Sequence, residues 1–253
     1  MSFRASLLVA AALAAAPLHA IAQATVKPDG QFHYALGAGA SYSSGNTSAA
    51  SVNVNGEGLR MSDSDKLRFG GRALWTRNEG TTTAENVSLG GQYDRDLTPL
   101  WFGFGSTDFL RDKFANISAR VAVHGGIGRH VIRSDRLNFD VSAGVGYTED
   151  RYFDAADIDG GVRKSYGRAE VLLAEESNHK WSETTSFRQK LTFYPALRSG
   201  GGYRALFDSG LAVAMTPLLS LTVGLTYRYD SDPGAGLKHG DTLFVTGIAL
   251  KID

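Results

Sequence analysis

The chain has 253 residues, enough for one large β domain or two ordinary ones. Its 26 lysines and arginines balance 26 aspartates and glutamates and form no basic stripe, so nucleic acid is not an expected partner. There is no cysteine, which excludes a disulfide framework and any thiolate metal site.

The first segment, MSFRASLLVAAALAAAPLHAIAQ, joins Arg4 to an apolar run from Leu7 to Leu18 and ends on the A-x-A tripeptide Ala20-Ile21-Ala22. This is the pattern of an export signal. It is expected to span 1–22, with cleavage before Gln23, and to leave 23–253 as one barrel domain. The run is too short for a stable membrane helix, and no later apolar run approaches that length.

From there the chain alternates. Phe32, Tyr34, Leu36, Ala38, Ala40 and Tyr42 form one apolar row, broken at Gly45-Asn46. Leu67, Phe69, Gly71, Ala73 and Trp75 form the next, then Val87, Leu89, Gly91 and Tyr93, then Leu100, Phe102 and Phe104. Val121, Val123, Gly125 and Ile127 follow, and after them Leu137, Phe139, Val141, Ala143, Val145 and Tyr147. Later rows are Ala169, Val171 and Leu173, then Phe207, Ser209, Leu211, Val213 and Met215, and finally Leu219 to Tyr229 and Phe244 to Ile252. A period of two is the signature of strands with unlike faces. Many of the 30 glycines lie inside these runs, as in GAGASY, HGGIGRH and SAGVGY, where they suit a crowded barrel wall.

Alternation alone does not say which face meets water, because a soluble sandwich alternates too. Three further features favour a membrane. The segments are about 10–14 residues long, close to a tilted membrane-spanning strand. Tyr42, Trp75, Tyr93, Trp101, Tyr147, Tyr227 and Tyr229 fall near segment ends, as suits interfacial girdles. The export signal removes the cytoplasm as a destination. The expected fold is all-β: a transmembrane antiparallel up-and-down barrel of about twelve strands, near 31–44, 47–61, 66–77, 82–95, 99–112, 117–132, 136–151, 165–178, 183–197, 202–216, 218–230 and 240–252. With both ends periplasmic, SDSDK, DLTPL, RSDR, HKWSE and MTPLL become short periplasmic turns. FDAADIDGGVRKS, RSGGGY and SDPGAGLKHG become longer loops on the other side. Lipid then takes the apolar rows, and a polar lumen takes Arg68, Arg72, Asp94, Arg120, Asp140, Arg168, Glu170, Arg188, Lys190 and Arg228.

The segment YRYDSDPGAGLKHGDTLFVTGIAL resembles the C-terminal signature of a family named for salt-induced outer-membrane proteins, a domain of unknown function. LRDKFANISARVAVHGGIGRHVI and GAGASYSSGNTSAASVNVNGEG resemble its central and opening segments. The most specific residues are Tyr229, Asp230, Ser231, Asp232 and Pro233, followed by Lys238 and Asp241. The resemblance implies a bacterial outer-membrane barrel, but no activity and no functional residues. It departs at Ile252 and Asp253, where such barrels tend to end on an aromatic read by the insertion machinery. Insertion is therefore expected to lean on Phe244 and the rest of that strand.

Several residue groups could carry chemistry. Asp150, Asp154, Asp157 and Asp159 are closely spaced carboxylates of a kind that holds Ca²⁺ or Mg²⁺. They lack the EF-hand ligand order, so a solvated loop, or one bridged by divalent ions to lipopolysaccharide, competes with a dedicated site. Arg228, Asp230, Asp232, Lys238 and Asp241 form either a functional loop or a turn whose acids satisfy backbone amides. His33, His124, His130, His179 and His239 are scattered; His124 and His130 share one lumen face but lie about 20 Å apart, too far for one metal. No cofactor is expected. The expected partners are outer-membrane lipids, lipopolysaccharide and the barrel insertion machinery, with the oligomeric state open. The leading expectation is a narrow, weakly selective pore or a structural barrel. A barrel enzyme acting on lipid or peptide and a surface receptor using the long loops are the alternatives.

Overall fold

In a computed structural model, residues 28–43, 49–198, 201–233 and 237–252 are described. The expected signal at 1–22 and the Gly45-Asn46 break lie outside them, as does the side chain of Tyr42. No helix among the described residues is long and apolar enough to cross a membrane, and the chain is built from strands. In order these are β1 (Phe32–Ser43), β2 (Ala49–Met61), β3 (Asp65–Asn78), β4 (Thr81–Asp96), β5 (Trp101–Asp112), β6 (Ile117–Arg133), β7 (Leu137–Ile158), β8 (Gly161–Lys180), β9 (Thr185–Pro195), β10 (Tyr203–Ala214), β11 (Leu219–Asp230) and β12 (Gly240–Ile252). Each pairs antiparallel with its sequence neighbours, and β1 pairs with β12 through Tyr34↔Ile252 to Ala38↔Ile248, which closes the barrel. Closure matters because lipid offers no hydrogen bonds: an open edge would leave a row of amides and carbonyls unsatisfied, each costing several kcal/mol.

The outer face is apolar. Val145 is 60% exposed and Phe244 is 63% exposed, and Leu36, Val54, Leu89, Val123, Ile127, Leu221 and Ile248 also point outward. On a soluble monomer a continuous patch of that size would be an aggregation site; in a bilayer it is the lipid contact. Aromatic rings border it at both ends. Phe32, Tyr34 and Phe69 cluster at one rim, where Trp181 also stacks on Phe187. Tyr203 stacks on Tyr229 at the other.

On β5 the expected facing is reversed. The row Phe102 and Phe104 points into the lumen, and Trp101, Gly103, Gly105 and Thr107 point out, because Phe104 lies opposite inward Asp94. The reason lies on the next strands. Phe102 pairs directly with Gly128, Phe104 with Gly126, and Gly126 in turn with Gly144. A methyl at Gly128 would overlap the Phe102 ring, so the glycines supply the volume that the inward rings occupy.

The turns also differ from expectation on one side. The connections 62–64, 97–100, 134–136, 181–184 and 215–218 are short, as expected for the periplasmic end. The expected loop FDAADIDGGVRKS is instead a continuation of β7 and β8 around a register shift between Arg151 and Ala156. It turns at Asp159-Gly160, both at positive φ (51° and 71°), as Glu79-Gly80 does between β3 and β4 (47° and 80°). Two successive left-handed residues make the tight turn that matches strand twist, and glycine takes the second place without steric cost. β7 and β8 therefore rise above the rim as a hairpin.

Candidate functional site: a charged lumen

The inward face of every strand is built by parity, so the side chains that meet are set by which strands lie opposite one another. The structure places Arg68, Arg72, Asp94, Arg120, Asp140, Arg168, Glu170, Arg188, Lys190 and Arg228 on that face, in three tiers.

The middle tier is centred on Glu176, whose carboxylate meets four cations. Arg68 grips it with both terminal nitrogens, at 3.0 and 3.4 Å. Arg188 Nη2 lies 3.0 Å away, and the Lys66 and Lys190 ammoniums are each at 3.9 Å. Lys190 also donates to Gln92 Oε1 at 3.2 Å, and Gln92 Nε2 donates to Asp94 at 2.7 Å. β3 and β8 stand five steps apart around the ring of twelve, as do β4 and β9. Arg68–Glu176 and Lys190–Gln92 therefore run across the lumen, not along its wall, and form a polar bar. Arg188 is almost fully buried, yet its Nε and Nη1 have no hydrogen-bond partner, so the cluster leaves guanidinium donors over.

The tier towards the β7–β8 hairpin is fastened by two fully buried carboxylates. Asp150 accepts from Arg120 (2.5 and 2.8 Å) and lies 3.4 Å from Arg168. Glu170 accepts from Arg204 (2.7 and 2.8 Å) and from the Thr148 hydroxyl (2.6 Å), and its Oε1 lies 2.8 Å from His124 Nε2. Thr148, Asp150 and Glu170 are each 0% exposed, covered by their own partners, and the set fastens the wall of the lumen on this side. Arg120 also approaches Asp230 on β11 at 4.0 Å, again five steps away. At the opposite end His130 sits between Asp140 (2.7 Å) and Asp96 (3.2 Å), with its ring stacked on Phe102. Among the described residues, Arg72 and Arg228 have no ion-pair partner within 4 Å; nearest in effect are Asp208 to both and Asp112 to Arg228.

Around these side chains the lumen is hollow. A cavity of about 330 Å³ opens under the hairpin, lined by Leu110, Ile117, Tyr152, Arg120, Arg228 and Asp241. One of about 400 Å³ opens at the short-turn end, lined by Lys66, Asp96, His130 and Arg188. Between them a waist of about 70 Å³ is bordered by Lys66, Arg68, Gln92, Glu176, Lys190 and Tyr194. Asp108, Tyr194 and Leu206 line both the waist and the first cavity; Lys66, Asp94 and Phe102 line both the waist and the second. A void of that size admits water, which needs about 10–15 Å³ of such volume.

The acidic stretch does not converge. Among the described residues no three acidic or histidine side chains are placed to hold a metal. Asp150 belongs to the lumen, and the Asp159 carboxylate is taken by Arg198 and approached by the Tyr166 hydroxyl. Asp154 is tied through its backbone to Asn116, and Asp157 lies in the hairpin arm opposite Val162. The signature loop serves backbone amides, one its own and two on neighbouring elements: Asp230 Oδ1 accepts from the Asp232 amide (3.0 Å), Asp232 Oδ2 from the Asp159 amide of the hairpin (2.9 Å) and the Ser231 hydroxyl from the Tyr203 amide of β10 (2.7 Å). Tyr229 stacks outward, and Pro233, Lys238 and Asp241 line the hairpin-side cavity. Sequence reasoning missed Lys66, Glu176 and Arg204. Parity along β8 would have found Glu176, since it continues the row Arg168, Glu170, Leu172 and Ala174.

A family profile described as Protein of unknown function, DUF481, matches residues 36–252. No curated protein matches the chain in sequence. Solved structures with a similar chain path include the NanC porin (13% identity, 87% of this chain and 97% of that one, TM-score 0.46). The KdgM porin in complex with disordered oligogalacturonate is another (7% identity, 88% and 100%, TM-score 0.44). So is the translocator domain of the autotransporter NalP from Neisseria meningitidis (11% identity, 88% and 87%, TM-score 0.44).

Proposed function

The chain belongs to the DUF481 family, which brings no activity with it, and from the lumen itself we propose that it is a narrow, weakly selective pore of the bacterial outer membrane. One observation carries this reading. Two cavities of about 330 and 400 Å³ flank a narrow waist that charged side-chain tips cross, between walls that also carry Phe102, Phe104 and Leu206. Hydrated charges admit water and small ions, whereas a barrel that is only structural gains more from an apolar filling. Selectivity is weak because both signs line the waist: Lys66, Arg68 and Lys190 against Asp94, Glu176 and Asp208.

In this reading residues 1–22 direct export, residues 23–253 form the barrel, the insertion machinery assembles it, and lipopolysaccharide surrounds its outer leaflet. A role in salt or envelope stress rests on the family resemblance alone, and protein abundance at raised salt tests it. The pore is tested in planar bilayers. Purified protein gives small ohmic steps in potassium chloride, and Arg188→Glu moves the reversal potential in a salt gradient towards cation preference. An absence of steps from protein that shows the heat-modifiable gel shift of a folded barrel overturns the pore and leaves a structural barrel.

A further inference from the structure

The outer face carries one feature that lipid does not explain. Along β8 the side chains alternate, so Glu176 points into the lumen and its neighbour Glu175 points out. Glu175 lies opposite Val141 on β7 and Leu191 on β9, with Leu173 above it in the same outward row; Val141, Leu173 and Leu191 are all exposed lipid-facing side chains. Other outward charges keep to the aromatic rims: Glu85 lies opposite Trp75, Arg129 opposite Trp101, and Glu149 accepts from the Tyr147 hydroxyl. Glu175 instead stands within the apolar belt.

It is not alone there. Ser177 on β8, Gln189 on β9 and Ser209 on β10 lie directly opposite one another across three strands, all facing outward. The Gln189 side chain hydrogen-bonds to Glu175, and His179 Nε2 lies 3.2 Å from the Ser177 hydroxyl. The patch therefore combines a carboxylate, an amide and the Ser209 hydroxyl, with Ser177 itself covered (4% exposed), in a surface otherwise built of valine and leucine. Polar groups at this depth are costly when they face acyl chains, and an ionisable residue inside a membrane usually has a partner.

We propose that this row is the seam of a homodimer, and that its occupant is a second copy of the chain. The argument is complementarity. An ionised carboxylate only accepts hydrogen bonds, whereas an amide and hydroxyls can donate. A two-fold axis along the membrane normal brings the same patch of both copies together, as an isologous interface requires. Ser209 and the second amide hydrogen of Gln189 of one copy then donate to Glu175 of the other, and each Glu175 adds these donors to the Gln189 of its own chain. Acyl chains offer none. The seam rests on the transmembrane fold and not on conductance, so it stands or falls separately from the pore.

The chain has no cysteine, so single-cysteine variants need no background changes. Ser209→Cys is placed on the proposed seam, and Ala73→Cys on the outward face of β3, five steps round the ring from β10. Both are oxidised in native outer membranes, and folding is verified by the heat-modifiable shift. Ser209→Cys should give a disulfide-linked band at twice the monomer mass, and Ala73→Cys should not. Adding Glu175→Leu to Ser209→Cys should lower the linked fraction several-fold, since the leucine is at home in lipid and needs no second copy. Linkage no stronger than at Ala73, linkage to a different protein, or linkage indifferent to Glu175→Leu overturns the proposal.

Discussion

Two residues show how a barrel lumen is paid for in volume and charge. Phe102 fits only because Gly128 stands opposite it. Gly128→Val should cost about 1–3 kcal/mol, the usual range for overpacking, and lower the denaturant midpoint in detergent. Gly128→Val with Phe102→Ala should recover part of the loss. A midpoint untouched by Gly128→Val would mean that the Phe102 ring does not point inward. Glu176 is the electrostatic counterpart. Neutralising one member of a buried pair costs about 3–5 kcal/mol in a dry interior, and the adjoining water makes that an upper bound here. Glu176→Gln should lower the midpoint because it leaves Arg68 and Arg188 facing each other without a carboxylate. Adding Arg68→Gln should raise it again. If the double variant is no better than the single, the cations do not repel, and Glu176 contributes packing alone.

At the scale of the strand, the faces of β11 are the most direct consequence of period two. Leu221, Val223 and Leu225 point outward, and Thr222 and Thr226 point inward, where Thr222 donates to the Gly247 carbonyl (3.1 Å) and Thr226 to Asp208 (2.7 Å). An arginine on the lipid face near the bilayer midplane costs about 2–4 kcal/mol, whereas a lumen side chain can extend along the polar interior. Val223→Arg should therefore cut the yield of heat-modifiable protein sharply, and Thr222→Arg far less. The reverse order would contradict the assigned facing.

Such faces, and most strand ends, were legible in the sequence because alternation needs only one strand at a time. β5 was not. Leu100, Phe102 and Phe104 read as a lipid row, since bulk alone does not tell a lipid-facing ring from one buried over a glycine. The space for Phe102 and Phe104 lies on β6 and β7, and it appears only once the register is known. The hairpin of β7 and β8 was hidden for another reason: FDAADIDGGVRKS is polar enough to read as loop, although Asp159-Gly160 is a hairpin turn.

At the scale of the whole molecule, closure decides which charges meet. The sequence shows Arg68 and Arg188 as inward-facing charges, but nothing local tells that β3 and β8 end up across from each other, or that Glu176 will join them. That pairing is a property of twelve strands in one ring, and it produces the bar on which the proposed pore depends. The bar has two hydrogen-bonded crossings, Arg68–Glu176 and Lys190–Gln92, and a longer ion pair from Lys66 to Glu176 spans the same gap, over a waist of about 70 Å³. The most direct measurement is single-channel conductance in planar bilayers for the wild type beside Arg68→Ser with Lys190→Ser. Shortening both side chains removes both hydrogen-bonded crossings and leaves only the longer Lys66–Glu176 pair, so the variant should conduct in distinctly larger steps than the wild type while keeping its heat-modifiable shift. Equal steps, or none from either folded protein, would contradict a pore whose waist is set by that bar.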